Sequence, residues 1–260
     1  MNILVVLAGV ADNRYPLHQV ALDSEGNLHE TGQTRRILGP FDEGALELAL
    51  KLRDKSDAIS VHVLVLGGAN EEQLARSVAA FKPDSLRILH LRPCRPWDSS
   101  MTAAQIGAFV RDDETQPDLV FIGREFGDLD EGSIPVMLAT ELQLPLFSLA
   151  QYAEWQGDQV RLMREKGTRR EWLSCSGTYL ATVTNDRRNK LRHPLMKNVM
   201  MAKRLSIETV TQNTDEPGSV RSRELAEPRA AKRQGQCRMI DGSVQEQAAA
   251  IVDYLRKAAG

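Results

Sequence analysis

Residues 123–142, GREFGDLDEGSIPVMLATEL, join an apolar strand-like run to a helix-like run through a crowd of carboxylates. A strand feeding a helix N-terminus is where α/β proteins often hold phosphate, because backbone N–H groups and the positive end of the helix dipole converge there. Asp128, Asp130 and Glu131 put negative charge at that same place. Such carboxylates can work as a general acid/base pair, but their commoner use is to favour a helix start. The rest of the chain carries no GxSxG, no Walker loop, no CxxC and no HExxH. LGGAN (66–70) follows an apolar run without completing the GxGxxG fingerprint of dinucleotide enzymes. The five histidines show no metal-ligand spacing, and Cys94, Cys175 and Cys237 are an odd, scattered set that reads as reduced thiols of a cytoplasmic protein. Arg187, Arg188, Lys190 and Arg192 form a basic cluster, but no aromatic residues interleave to stack bases. With a net charge of −2, nucleic acid is not the expected partner, and a docking face for protein is. LMKNVMM (195–201) adds three methionines and a leucine, either as an adaptable contact surface or packed beneath the segment's own fold.

These side chains need a frame. NILVVLAGV (2–10) is a continuous apolar run suited to a strand covered on both faces, and not a signal peptide. In GPFDEGALELALKLRDK (39–55), Ala45, Leu48, Ala49 and Leu52 fall on one helical stripe, with Pro40 at the start and Asp42 and Glu43 in the first turn. Strands are expected at 58–68, 85–91 and 118–123, and helices at 71–81, 100–112 and up to about Leu142. This alternation predicts an α/β fold with a mostly parallel sheet and helices on both faces. Residues 151–184 read as three strands with turns at Gly157-Asp158 and Lys166-Gly167, an antiparallel addition. Residues 185–236 are too polar to fold on their own buried area and read as a docking loop and extended arm after a 1–184 domain. The final segment, 237–260, is expected to end in a helix with Ser243 as N-cap, docked on a partner subunit. No apolar run reaches the roughly 20 residues needed to cross a bilayer, so no membrane insertion is expected.

Four stretches in this order resemble the beta subunit of an electron-transfer flavoprotein. They are PFDEGALELALKLRD; DLVFIGREFGDLDEGSIPVMLATELQLPLFSLA; NDRRNKLRHPLMKNVMMAKRLSIE, with Arg187, Asn189, Arg192, Asn198-Val199-Met200 and Lys203-Arg204 at the signature spacing; and CRMIDGSVQEQAAAIVDYLRKAAG. The resemblance implies a Rossmann-like, adenine-nucleotide-binding fold. It also implies a heterodimer with an alpha subunit that supplies most of an FAD site, a structural AMP in this chain, and a loop that docks onto a flavoprotein dehydrogenase. Electrons would pass on to a membrane quinone oxidoreductase, and the chain would be a carrier subunit without its own substrate turnover.

By position, the resemblance assigns Val6, Gly39, Pro40, Phe41, Asp42 and Leu66 to the AMP pocket. It adds Gly123, Arg124, Glu125, Phe126 and Gly127, then Asp128, Leu129, Asp130 and Glu131, and finally Gly132, Ser133 and Ile134. Phe41 and Tyr15 are implied to face the flavin, and Arg187, Leu195, Met196 and Met200 to carry the docking. Gly132, Ser133 and Ile134 stand where the family has Asn-Gln-Thr, which leaves backbone N–H groups and one hydroxyl as phosphate ligands. Two other readings are an adenine-nucleotide-binding regulatory module with no redox role, and a bifurcating homologue with a second FAD in place of AMP.

Overall fold

A computed structural model describes residues 1–15, 20–24, 28–30, 35–67, 71–129, 132–213 and 239–258. The chain divides into a compact unit over Met1–Arg223 and a second over Glu224–Gly260. Among the described residues no helix is long and apolar enough to cross a membrane.

The first unit starts with the buried run β1 (Asn2–Leu7), followed by four short strands, β2 (Val10–Ala11), β3 (Val20–Leu22), β4 (Leu28–Glu30) and β5 (Arg36–Ile37). Helix α1 (Pro40–Arg53), β6 (Ser60–Gly67), α2 (Glu71–Ala79), β7 (Ser85–Arg92), α3 (Ser99–Asp112), β8 (Leu119–Gly123) and α4 (Ser133–Glu141) then alternate as the periodicities predict. Then come β9 (Leu146–Ala150), β10 (Tyr152–Gln156), β11 (Gln159–Lys166), β12 (Arg169–Ser174) and β13 (Tyr179–Val183). A 3-10 turn at Arg187–Asn189, α5 (Met196–Ala202) and β14 (Glu208–Asn213) complete the unit's described elements.

Seven strands form one sheet in the order β14-β7-β6-β1-β8-β13-β9, with every pairing parallel. Alternation along β1 sorts its side chains to two sides. Ile3, Val5 and Leu7 join a cluster with Leu48 and Leu52 of α1 and Leu74 of α2, while Leu4 and Val6 join Ile106 of α3 and Leu138 of α4. The centre of the sheet is therefore covered on both faces, which is why β1 and β8 read as unbroken apolar runs.

Three features depart from the sequence pattern. The antiparallel addition is a separate sheet, β10-β11-β12, and YLATV of β13 leaves it to pair in parallel with β8 and β9. Helix α1 buries more than its predicted stripe, Leu46 and Leu50 included, because Ala153, Val160 and Leu162 of the small sheet lie in the same cluster and close over its far side. Part of the polar stretch expected to be an arm supplies an edge strand, β14, whose Glu208 pairs with Arg87 and Asn213 with Arg92.

In the second unit, α6 (Val244–Ala258) starts with the expected cap. The Ser243 N–H donates to Glu246 Oε2 at 2.7 Å, and the Glu246 N–H returns to Ser243 Oγ at 3.4 Å. Its apolar residues Ile251, Val252 and Leu255 are exposed.

Candidate functional site

From β1 the chain moves outward through β6 to β7, then returns to β8 on the other side of β1. The crevice at the carboxyl ends of β1 and β8 is therefore the topological switch point, where α/β sheets take their ligands. Three loops meet there, and Asp42 ties two of them together. Its carboxylate accepts N–H bonds from Gly9 at 2.9 Å, Gly39 at 3.1 Å and Ala8 at 3.4 Å. The group is 2% exposed, and burial pushes its carboxyl up to about 6, against the opposing pull of those three N–H groups.

Glycine brings the third loop in. A Cβ at Gly123 would lie 2.8 Å from the Glu125 carbonyl oxygen and 2.9 Å from Phe41 Cβ, so only glycine lets the end of β8 approach the start of α1. Gly127 (φ +73°) turns the loop beneath Ala8, and Gly132 (φ +108°) opens α4 as an N-cap with no side chain. The Arg124 guanidinium stacks 5.0 Å from the centre of the Phe41 ring and pairs with Glu125.

Asp128 accepts from the Ala11 N–H at 3.0 Å and from Arg36 Nη1 at 3.2 Å, clipping the loop to the β2–β5 pair. Val6, Leu66, Phe126 and Ile134 are buried together in the α3–α4 side of the core, so what they can offer a ligand is backbone. Gly39 is buried and Pro40 exposed; Ser133 and Leu129 are exposed, Leu129 at 59%. Asp130 and Glu131 lie outside the described residues. Tyr15 is 45% exposed beneath the Arg35 guanidinium, 4.3 Å from its ring centre. Cys175 is a buried core thiol that burial pushes up to about 11, which makes it a poor nucleophile.

The second candidate region is the segment after β13. Sequence left open whether its methionines are exposed or covered, and in the structure all three are exposed. Leu195 (71%), Met196 (74%), Met200 (54%) and Met201 (55%) are exposed, whereas Val199 packs with buried Ala202 against Ala79 and Ala80. Arg187 is exposed in the 3-10 turn. The segment's entry is fixed from inside the domain. Arg192 donates from Nε to Glu47 Oε2 and from Nη2 to Glu47 Oε1, both at 3.0 Å, and from Nη1 to Asp54 at 2.6 Å. Asn189, 2% exposed, donates to the Gln151 carbonyl at 2.9 Å.

Glu47 was not singled out by the sequence because a lone glutamate in an amphipathic helix reads as a solvated charge. It is 4% exposed. Arg192→Met is expected to leave that carboxylate only the residue-192 backbone N–H, at 3.1 Å, and cost about 2 kcal/mol, below the usual range for a broken buried pair because the arginine is partly solvated. The checking measurement is urea unfolding, where the midpoint should fall with an unchanged slope.

A family model described as the electron transfer flavoprotein domain matches residues 29–215. The electron transfer flavoprotein subunit beta of Bradyrhizobium diazoefficiens is 27% identical over 212 residues, covering 81% of this chain and 82% of the relative. The subunit of the same name from Clostridium acetobutylicum is 26% identical over 265 residues, covering 99% and 98%. The acryloyl-CoA reductase electron transfer subunit gamma of Anaerotignum propionicum is 25% identical over 201 residues, covering 77% and 73%. With the parallel sheet, the switch-point crevice and these matches together, the chain belongs to the electron transfer flavoprotein family and is of its beta-subunit type.

Proposed function

We propose that this chain works in the cytoplasm as one half of a heterodimeric electron-transfer flavoprotein. An alpha-type subunit holds most of an FAD, and this chain buries a structural AMP. The observation that carries the reading is that the family match spans 29–215 and so takes in the α1 start, the β8–α4 loop and α5. The FAD, when bound, supplies the redox chemistry, and the protein positions and tunes it. The backbone of the Gly123–Gly127 loop and the start of α4, with the Ser133 hydroxyl, would hold the nucleotide phosphate. The glycines at 123, 127 and 132 fit that use, since each leaves the backbone open where a side chain would crowd it or strain the turn. Phe41, steadied by Arg124, and Tyr15 would face the flavin.

Electrons would arrive from a flavoprotein dehydrogenase docked on Leu195, Met196 and Met200 beside Arg187, and leave to a membrane quinone oxidoreductase. Co-expression with its alpha-type subunit, followed by release of the bound small molecules, tests the reading. One FAD and one AMP per heterodimer is the expected result. Two FAD molecules without AMP would replace the shuttle with a bifurcating arrangement, and a colourless complex would overturn the electron-transfer role.

A further inference from the structure

Helix α5 has seven residues, too few to hold helical form in water without outside support. Its last carbonyls have no partners within the helix, as at every helix end. The support comes from a side chain far away in sequence. Arg76, on α2, donates from Nη1 to the carbonyl oxygens of Ala202 at 3.2 Å, Lys203 at 2.6 Å and Leu205 at 3.0 Å. Its Nη2 is held by Glu72 one turn earlier on the same helix. A single planar guanidinium thus closes the C-terminus of α5 and the turn after it, with its charge at the negative end of the helix dipole.

We infer that Arg76 is a positioning residue for electron-donor docking: it fixes the last turn of α5 so that Met196, Met200 and Met201 stand as one preformed surface. This rests on the docking role proposed for α5. The apolar contact is made by side chains on one face, while the opposite face, Val199 and Ala202, rests against Ala79 and Ala80. That small apolar footing sets where the helix lies, and the Arg76 contacts set where it ends. Without them the last turn frays and the methionines are ordered only on binding, at a cost in affinity. Lysine keeps the charge but has one nitrogen, which cannot meet these carbonyls while a second, rigidly linked nitrogen holds Glu72.

The test uses the complete heterodimer and a flavoprotein dehydrogenase selected beforehand as one that reduces the wild-type complex. Arg76→Met should raise the KM for the heterodimer about tenfold with kcat and bound flavin unchanged, the loss that unordered contact side chains impose on binding. Arg76→Lys should fall between the two, and it keeps the test alive if the methionine variant folds poorly. Amide hydrogen exchange over residues 199–205 should quicken in the same order. A lysine variant indistinguishable from wild type would mean that Arg76 acts by charge alone, and an unchanged KM in Arg76→Met would remove its role; either overturns the inference. Met196→Asp serves as the control. If it also leaves KM unchanged, the docking surface itself is wrong; if it alone raises KM, only the positioning role of Arg76 fails.

Discussion

Gly123→Ala is expected to destabilise the protein by about 3 kcal/mol, the upper part of the range for overpacking a tight site. The added methyl would meet the Glu125 carbonyl oxygen at 2.8 Å and Phe41 Cβ at 2.9 Å. Neither neighbour is the loose end of a flexible side chain: one is backbone, and the other is the root of a ring in the first turn of α1. Relief therefore requires β8 and α1 to part at their crevice ends, where Asp42 holds the loop after β1. For a chain of this size the melting temperature should drop by roughly 6–12 °C. On the proposed function, the purified heterodimer should also carry less adenine nucleotide. Gly177→Ala is the matched control, because a Cβ there has nothing within 4 Å. It should stay within about 0.5 kcal/mol of wild type. Equal melting temperatures for the two variants would refute the close-approach account.

The second large effect concerns Asp42 and pH. Its carboxyl titrates near 6 in the folded chain against an ordinary 3.8, because burial penalises the charged form more than three N–H donors reward it. Between those values the folded protein keeps a proton that the unfolded chain releases, so stability falls as pH rises. The contribution is fully present below about 4 and lost once pH passes about 6. The difference between 3.8 and about 6 corresponds to about 3 kcal/mol. Asp42→Asn removes the titration but turns an amide toward backbone donors, so it should be less stable than wild type, by a margin that shrinks from pH 4 to pH 7. Urea unfolding of both proteins across that interval measures the margin; a constant difference would show that Asp42 is not the group responsible.

Much of the architecture was legible because buried parallel strands leave an unmistakable mark. ILVVL and LVFIG are continuous apolar runs, VHVLVL is broken only by His62, and the helices between them carry stripes at helical spacing. The edges were not legible, for the same physical reason. β14, with the sequence ETVTQN, is half solvated and has no apolar run to announce it; the polarity that suggested an arm is that of an edge strand. β13 was grouped with the antiparallel hairpins by proximity, although YLATV has the run of a doubly covered strand. At the crevice, the glycines and the loop were visible, but the roles of the carboxylates were not. Asp42 looked like a helix-start charge and is also a buried tie between loops, and Asp128, placed in the phosphate loop, also clips that loop to the β2–β5 pair. Burial of a single carboxylate leaves no periodic signal. Glu47 and Arg76, which meet partners more than a hundred residues away, are invisible to any reading that considers one element at a time.

The segment that carries α5 begins after β13 and ends in β14, and four strands of the sheet lie between those two. It is thus a strap drawn across the sheet, tied down at the far edge. β14 has no template until β7 is in place, and β7 needs β6 and β1 beside it. Closing so long a loop is an entropic cost that is repaid only by contacts made afterwards, which makes such pairings late events in folding. On the docking role proposed for α5, the order of assembly would act as a checkpoint: a chain whose sheet is half built has no fastened strap and hence no finished surface for an electron donor.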